Sequence, residues 1–279
     1  MPEIFGFDCY SPREIAERVE NVGVTKARLP LGSQVALGLL AGGFIGLGAM
    51  FYTLIMADGS LGFALARLLG GVAFSLGLIL VVVAGAELFT GNNLLVMAVV
   101  ARRIPMGKLV ENLAVVYAAN FAGAVLLAGL VALSGSWKAG DSAVGRAAVA
   151  MAMAKCMLPF GEAFFRGVLC NVLVCLAVWL AMAGRTVADK VLAIVFPVAA
   201  FVACGFEHSV ANMYFIPLGI FLRELGMGVG GAGAQALNWS GLCHNLLPVT
   251  LGNLVGGAGL VGLVYWTIYR REAARSPGA

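Results

Sequence analysis

Two hexapeptides, Glu87-Leu-Phe-Thr-Gly-Asn92 and Glu207-His-Ser-Val-Ala-Asn212, both place a glutamate five residues before an asparagine. Each interrupts an unusually long apolar stretch, residues 67–100 for the first and residues 191–222 for the second. A membrane-spanning helix needs about 20 apolar residues, so either stretch is too long for one straight span. The polar residues in the middle of each stretch therefore predict an interrupted helix.

The composition of the 279-residue chain excludes a soluble enzyme and a disordered protein. Of its residues, 61% are hydrophobic and 11% are charged, and the mean hydropathy is +0.96. Soluble domains have about 45–50% apolar and about 25% charged residues. The net charge of +4 is small and scattered, so nucleic acid is not an expected partner. The six cysteines form no CxxC and no zinc-spaced pattern, which predicts neither a metal nor another cofactor.

Apolar length and periodicity predict an all-α membrane protein with six transmembrane helices in the lipid bilayer. The predicted spans are residues 32–56, 67–100, 109–133, 158–183, 191–222 and 246–269. An amphipathic segment, residues 1–30, precedes this domain of residues 31–270, and a tail, residues 271–279, follows it. Lys and Arg in the short loops favour cytoplasmic termini by twelve to six. We therefore expect a multi-pass protein of the inner membrane with both termini in the cytoplasm.

The two halves of this domain, residues 31–134 and 158–270, resemble each other. In the third spans, Asn120-Phe-Ala-Gly123 matches Asn253-Leu-Val-Gly256, and in the first spans Gly38-Leu-Leu-Ala-Gly42 matches Gly167-Val-Leu-Cys-Asn171. Because each half has three spans, the halves enter the membrane from opposite sides. Paired interrupted helices in such an inverted repeat indicate a transport site at the repeat interface.

Ionisable residues inside the spans are the first candidates for function. A charge in mid-membrane costs at least ~2.5–3.5 kcal/mol on insertion scales, so Glu87 and Glu207 should find partners at the breaks. Lys155, just before the fourth span, is a candidate partner for Glu207. His208 is predicted to face a pore and to donate a proton, because imidazole exchanges protons near neutral pH. A neutral histidine that braces the break is the alternative.

Uncharged residues complete the predicted pathway. Asn171 and Thr90 are candidate partners of the His208 ring. His244, near the start of span six, is predicted at the outer surface with no assigned role. An apolar stripe is either core packing or a pore constriction, and its members are Phe74, Leu78, Leu88, Phe89 and Phe201.

Several of these segments resemble the signatures of the formate/nitrite transporter family. They are Ala86-Glu-Leu-Phe-Thr-Gly-Asn92, Ala154-Lys-Cys156, Gly167-Val-Leu-Cys-Asn171, Gly205-Phe-Glu-His-Ser-Val-Ala-Asn-Met213 and Asn245-Leu-Leu-Pro-Val-Thr-Leu-Gly-Asn253. The resemblance covers roughly residues 10–270 and implies an aquaporin-like fold and a homopentamer with one pore in each protomer.

The resemblance also implies roles for the candidate residues. His208 matches the family's central histidine, and Lys155, Asn171 and Glu207 match its polar surroundings. Thr90 lies in the segment that matches the family's flexible loop. The apolar set (Phe74, Leu78, Leu88, Phe89 and Phe201) matches positions that narrow the pore, and a structural role at the breaks is expected for Glu87, Asn92 and Asn212.

The predicted function is the passage of small monovalent weak-acid anions together with protons. Family members pass formate, nitrite, hydrosulfide or lactate. The Ile216-Pro217 and Pro248-Val-Thr250 segments favour the formate branch, whereas the Gly241-Leu-Cys-His244-Asn245 context resembles nitrite members.

Functions outside the family have less support. A neutral-solute channel would share the fold, but the Asn-Pro-Ala repeats typical of such channels are absent. An enzyme would need HExxH, GxSxG or paired carboxylates, none of which occurs. A receptor or purely structural membrane protein would not require interrupted helices around a histidine.

Overall fold

A computed structural model of the protein describes residues 9–228, 230–231 and 233–271, and all regular structure within them is helical. The first eight residues of the predicted N-terminal segment and residues 272–279 of the predicted tail lie outside this range. The helices in chain order are α1 (Pro12–Ala27), α2 (Leu31–Met56), α3 (Phe63–Ile79), α4 (Phe89–Asn92), α5 (Val96–Val100), α6 (Met106–Ser134), α7 (Ala139–Cys156), α8 (Phe160–Ala183), α9 (Val187–Ala203), α10 (Ser209–Glu224), α11 (Trp239–Leu254) and α12 (Val264–Tyr269).

Shorter helical segments join or extend these helices. The π-helical segment Leu80–Gly85 extends α3, and the π-helical segment Val255–Leu263 joins α11 to α12. The 3₁₀ turns are Asn93–Leu95, between α4 and α5, and Ser136–Lys138, before α7.

Among the residues that the structure describes, five helical stretches are long and apolar enough to cross a membrane. They are Leu31–Met56, Phe63–Gly85, Met106–Ser134, Phe160–Ala183 and Trp239–Tyr269. The rest of predicted span two is the shorter apolar segment Phe89–Val100. Predicted span five is divided into α9 and α10, which have 17 and 16 residues. The all-α membrane class and the interruptions of helices two and five are confirmed, and a sixth span requires α9 and α10 to be joined across their break.

A glycine in the left-handed region ends the helix at both breaks. Gly85 has a φ of 85° and Gly205 has a φ of 72°, and each lies two residues before the glutamate of its hexapeptide. A residue with a Cβ rarely adopts this conformation, whereas glycine does so readily. The chain therefore leaves the helix at corresponding points in its two halves.

Helix α7 lies between the two predicted repeats and was not among the predicted elements. Its buried residues are mostly small, including Ala148, Val149 and Ala152, and it packs against α10. Lys155 lies in its last turn, as Lys26 lies in the last turn of α1. In each half of the molecule, the helix before the first span therefore has a lysine in its last turn.

Helix α1 begins with a reciprocal cap. The Glu14 backbone N–H donates to the Ser11 hydroxyl, and the Ser11 backbone N–H donates to the Glu14 carboxylate at 2.7 Å. The hydrogen bond from the Ser11 hydroxyl, followed by that from its backbone, lowers the pKa of the Glu14 carboxyl. Ile15 and Val19 are buried on one face of α1, so this helix packs along the body of the protein.

The backbones of α2 and α6 come into direct contact. A Cβ added to Gly42 would overlap the Asn120 carbonyl oxygen, and one added to Gly123 would overlap the Leu39 carbonyl oxygen. Glycine at both positions removes the side chain that would hold the helices apart, as in other closely packed membrane helices.

Replacing Gly123 with alanine is expected to destabilise the fold. The new methyl group would collide with the Leu39 backbone, which cannot rotate away as a side chain could, and such overpacking typically costs about 1–3 kcal/mol. The measurement is the heat-induced loss of the monodisperse peak of detergent-solubilised protein. Gly129→Ala on the same helix is the matched control, because its methyl group would lie 4.0 Å from its nearest neighbour, Phe221. Equal melting of the two variants would contradict the packing argument.

Candidate functional site

An asparagine from a neighbouring span braces each helix break. The Asn253 amide nitrogen donates to the backbone carbonyls of Gly167 and Glu207 at 2.8 and 3.1 Å, and its amide oxygen accepts from the Ser209 backbone N–H at 3.0 Å. In the other half, Asn120 makes the corresponding hydrogen bonds with Gly38, Glu87 and Phe89, at 2.8, 2.8 and 2.9 Å. Backbone groups released by a break must be satisfied inside the protein, and these two side chains do so.

The glutamate of each hexapeptide binds a lysine and an asparagine. The Lys155 ammonium lies 2.9 and 3.1 Å from the two Glu207 carboxylate oxygens, and the Asn212 amide donates to Glu207 at 2.6 Å. In the other half, the Glu87 carboxylate contacts Lys26 at 2.9 Å and Asn92 at 2.7 Å. Both asparagine amides also donate to an asparagine of the following span, Asn245 for Asn212 and Asn112 for Asn92. Each buried carboxylate is thus paired and hydrogen-bonded.

His208 lies at the second break with both ring nitrogens engaged. Nδ1 is 3.0 Å from the Ala211 backbone N–H, which donates to it and so caps α10. Nε2 is 2.9 Å from the Thr90 hydroxyl at the first break. Because Nδ1 accepts a hydrogen bond, the ring is the neutral tautomer with its proton on Nε2. The ring also stacks on Phe201, with centroids 6.1 Å apart.

Two cavities approach each other on either side of His208. The Lys155 vestibule is a cavity of about 200 Å³ with Lys155, Glu207, Phe74, Phe201 and His208 in its wall. The Lys26 vestibule is a cavity of about 300 Å³ whose wall includes Lys26, Glu87, Leu78 and Leu88. A void of about 10 Å³ lies between them, lined by residues of both walls, namely Phe74, Leu78, Leu88, Phe201 and His208. Such a void is at the lower limit for one water molecule.

The order of these residues defines a passage. From one end it contains a charged vestibule, a Phe74/Phe201 constriction, the His208 ring, a Leu78/Leu88 constriction and a second charged vestibule. The middle is apolar except for His208, whose side chain lines both the Lys155 vestibule and the void. A small solute that crosses here meets one polar ring in an otherwise apolar constriction.

Three residues predicted for the pathway, Thr90, Phe89 and Asn171, are absent from the cavity walls in the part of the chain that the structure describes, and so is His244, which was predicted at the surface. Thr90 contacts the passage through the His208 ring. The Phe89 ring packs edge-on against Tyr117, with centroids 4.8 Å apart. The Asn171 amide donates to the backbone carbonyls of Thr90 and Asn253 at 3.3 and 2.6 Å, so it fixes the position of Thr90 and does not reach the His208 ring. His244 is exposed on α11.

Sequence reasoning missed the roles of Lys26, Asn112 and Asn245. Lys26 lies in an amphipathic helix, where a basic residue is expected at the surface without any tertiary partner. The two asparagines are buried in otherwise apolar spans, and this alone was a signal, since a polar side chain there needs a specific partner. No group of three or more His, Cys, Asp or Glu side chains within the described residues forms a metal site.

The fold and this passage define a multi-pass membrane channel or transporter. The formate/nitrite transporter family model matches residues 13–267, and the chain belongs to that family. The formate channel FocA of Escherichia coli K12 is 42% identical over 275 residues, which cover 95% of this chain and 96% of that protein. The FocA protein of Haemophilus influenzae is 38% identical over 262 residues, covering 91% and 92% of the two chains.

Solved structures show the same fold. A pentameric formate channel with formate bound superposes with a TM-score of 0.74 at 37% identity, covering 86% of this chain and 97% of that chain. An FNT family ion channel superposes with a TM-score of 0.77 at 34% identity, covering 91% and 98% of the two chains. These relatives are named as channels, which agrees with a transport protein rather than an enzyme.

Proposed function

We propose that the protein carries formate and similar small weak-acid anions across the membrane, with proton transfer at His208. The observation that carries this proposal is the His208 ring in the apolar constriction between two lysine-containing vestibules. Relatives named as formate channels and a homologous structure with formate bound support formate as the substrate.

The energetics favour passage of the neutral acid over passage of the anion. Desolvating a bare anion in an apolar constriction costs tens of kcal/mol in the idealised limit. Protonating a carboxylate with a pKa of about 3.5–4 at pH 7 costs only about 4–5 kcal/mol, at 1.36 kcal/mol per unit. Neutralising the solute is therefore the less costly route past Phe74, Phe201, Leu78 and Leu88.

His208 supplies the proton as an imidazolium. In the neutral ring Nδ1 accepts from the Ala211 N–H, so charging the ring breaks this cap hydrogen bond, which costs about 1 kcal/mol. Charging also places a cation at a buried site in the same cavity as the Lys155 ammonium, and this further cost must be met by the bound anion. An anion about 4 Å from the charged ring contributes roughly 4 kcal/mol at an effective dielectric constant of 20. Solute binding and ring protonation thus favour each other. The Nε2 proton then passes to the carboxylate, which leaves a neutral acid and a neutral ring with its proton on Nδ1. Loss of this Nδ1 proton and uptake of a proton at Nε2 restore the resting tautomer and its hydrogen bond from the Ala211 N–H.

The surroundings of His208 prepare this step. Lys155 and Lys26 offer ammonium N–H donors to an anion inside the two vestibules, while Glu207 and Glu87 hold the two ammonium groups in place. The Thr90 hydroxyl fixes the plane of the imidazole, and Asn171 holds the Thr90 backbone.

The assembly and orientation that we propose follow the family and the loop charges. Each protomer of a homopentamer contains one passage, as the pentameric homologue suggests. The protein lies in the inner membrane with both termini in the cytoplasm. In this orientation, Lys155 lies on the outer side of the membrane and Lys26 on the cytoplasmic side. Native mass spectrometry of the detergent-solubilised protein should give five copies.

This function is tested by measuring fluxes into proteoliposomes at two pH values, with formate, nitrite, hydrosulfide, lactate, chloride and glycerol as the solutes. We expect formate flux to rise as the pH of the source compartment falls, because the transferred proton comes from that side. Chloride, the anion of a strong acid, should pass at least 100-fold more slowly than formate, since it cannot be neutralised. Protein-free liposomes correct for formic acid that crosses the lipid. Equal chloride and formate fluxes would indicate an ordinary anion channel, and fast glycerol flux would indicate a neutral-solute channel.

A further inference from the structure

The two vestibules differ in charge. The wall of the Lys155 vestibule contains three cationic side chains, Arg67, Lys155 and Arg166, and one carboxylate, Glu207. The wall of the Lys26 vestibule contains one lysine and one glutamate. The first cavity therefore has an excess of positive charge, and the second is balanced.

Ion pairing leaves most of this excess on Arg67. Lys155 is neutralised by Glu207, and Arg166 pairs with Glu162 at 2.7 Å. Within the residues that the structure describes, Arg67 makes no ion pair, and its recorded contact is with the Phe63 ring, 5.5 Å from the guanidinium carbon. Arg67 is only partly exposed, so its charge acts within the vestibule rather than in bulk water.

The Arg67 guanidinium lies against the second helix break. A methyl group on Gly205 would be 3.5 Å from the Arg67 Nη1 atom. Gly205 lies three residues before His208 and lines the same cavity as Arg67 and Lys155. An anion approaching the Phe74/Phe201 constriction from this side therefore passes the unpaired guanidinium.

Comparison of the two halves of the fold shows that the arginine charges occur in the Lys155 vestibule and not in the Lys26 vestibule. If Glu87 is aligned with Glu207, the residue of the second half that is equivalent to Arg67 is Val187. Leu37 corresponds to Arg166, because the Leu37 carbonyl accepts from the Glu87 N–H just as the Arg166 carbonyl accepts from the Glu207 N–H. Two arginines thus stand where the other half has apolar residues.

We infer that Arg67 is an anion-recruiting residue that raises the concentration of the solute in the Lys155 vestibule before it reaches His208. This inference rests on the proposed passage of weak-acid anions. A charged cleft with low-dielectric walls concentrates a counter-ion and is sensitive to ionic strength. Arg67 acts on capture and not on proton transfer, so its removal alters half-saturation rather than maximal flux.

Formate flux into vesicles whose Lys155 side faces the added formate tests the role of Arg67. Arg67→Gln is expected to raise the half-saturating formate concentration about five-fold, which corresponds to about 1 kcal/mol, with maximal flux within two-fold of wild type. The shift should be present at about 10 mM salt and nearly absent at about 1 M salt, where charges are screened over about 3 Å. Arg67→Lys should retain most of the wild-type affinity.

Arg146→Gln is the matched control, because Arg146 is an exposed arginine on α7 outside the vestibule wall. Its half-saturation should equal that of wild type at both salt concentrations. Unchanged half-saturation of Arg67→Gln at low salt would overturn the inference, and so would a shift that persists at high salt or a loss of maximal flux alone. If the wild-type protein carries no formate, the proposed function fails instead, so the two failures are distinguishable.

Discussion

Replacing His208 with asparagine is expected to reduce formate flux by at least 100-fold and to abolish its dependence on pH. Asparagine caps a helix as well as any residue, so it can retain the hydrogen bond from the Ala211 N–H that His208 Nδ1 accepts. Its amide, unlike imidazole, does not titrate. The substitution therefore removes proton donation while it keeps the fold of the break.

The flux is measured in proteoliposomes at about pH 5.5 and about pH 7.5, and a 100-fold loss corresponds to about 2.7 kcal/mol. His208→Phe should lose flux to a similar extent and should also melt earlier, because it cannot cap α10. His244→Phe is the matched control, since His244 is the only other histidine and is exposed on α11. Full, pH-sensitive formate flux through His208→Asn would refute the role of His208 as the proton donor.

Replacing Asn253 with leucine is expected to have the largest effect on stability. It removes three side-chain hydrogen bonds, those of the Ser209 N–H and the Glu207 carbonyl at the break and that of the Gly167 carbonyl within α8. The two groups at the break have no other hydrogen bond within the described residues. Each buried group left without a partner costs about 1–3 kcal/mol. Leucine keeps the branched shape of asparagine, and its larger methyl groups add to this cost at a fully buried position. Asn120→Leu should have a similar effect, because Asn120 makes the same three bonds at the first break.

Thermal unfolding of the detergent-solubilised variants measures this effect. Asn238→Ala is the control. The Asn238 amide oxygen accepts from the Gly241 N–H and so caps α11, and its amide nitrogen donates to the exposed Gln235 carbonyl. Loss of this cap at the protein surface should cost only about 1 kcal/mol. Asn253→Leu should unfold well below Asn238→Ala or fail to accumulate. An unfolding temperature equal to that of the wild type would show that water satisfies these groups and that the asparagine is dispensable.

The first substitution tests proton transfer in the passage, and the second tests the hydrogen bonds that stabilise the helix break. His208→Asn should leave a stable protein that does not transport protons with formate, whereas Asn253→Leu should leave too little folded protein to carry anything. The ion pair between Lys155 and Glu207 contributes both to stability and to transport, because it neutralises a buried carboxylate and places an ammonium group in the wall of one vestibule.

The breaks could be predicted from the sequence because their cause is local. Gly85 and Gly205 permit the positive φ that ends a helix, and a glutamate and an asparagine in an apolar stretch are costly unless the helix opens to accommodate them. His208 was predicted beside the second break for the same reason. The all-helical class also followed from apolar length alone, since within lipid a helix satisfies its own backbone.

The side chains that face the passage could not be assigned in this way. Phe89 and Leu88 are adjacent in sequence, yet Leu88 lines the void and Phe89 packs against Tyr117. Their directions depend on the turn of α4, a four-residue helix held by Asn120, and no periodicity can be read from so short a segment. Asn171 likewise faces two backbone carbonyls because of where α11 passes, which its own neighbours in sequence do not indicate.

By itself, the sequence determined the membrane class, the two interrupted helices and the presence of one histidine at a break, because hydropathy, glycine conformation and the cost of buried charge act over a few residues. Only the tertiary structure decided that Lys26 pairs with Glu87, that the candidate partner Lys155 reaches Glu207 from α7, and that Arg67 makes no ion pair with any residue the structure describes. Each of these contacts joins groups at least 50 residues apart in the chain or depends on which groups surround a cavity. Such neighbours are set by the packing of whole helices, which local chemistry does not specify.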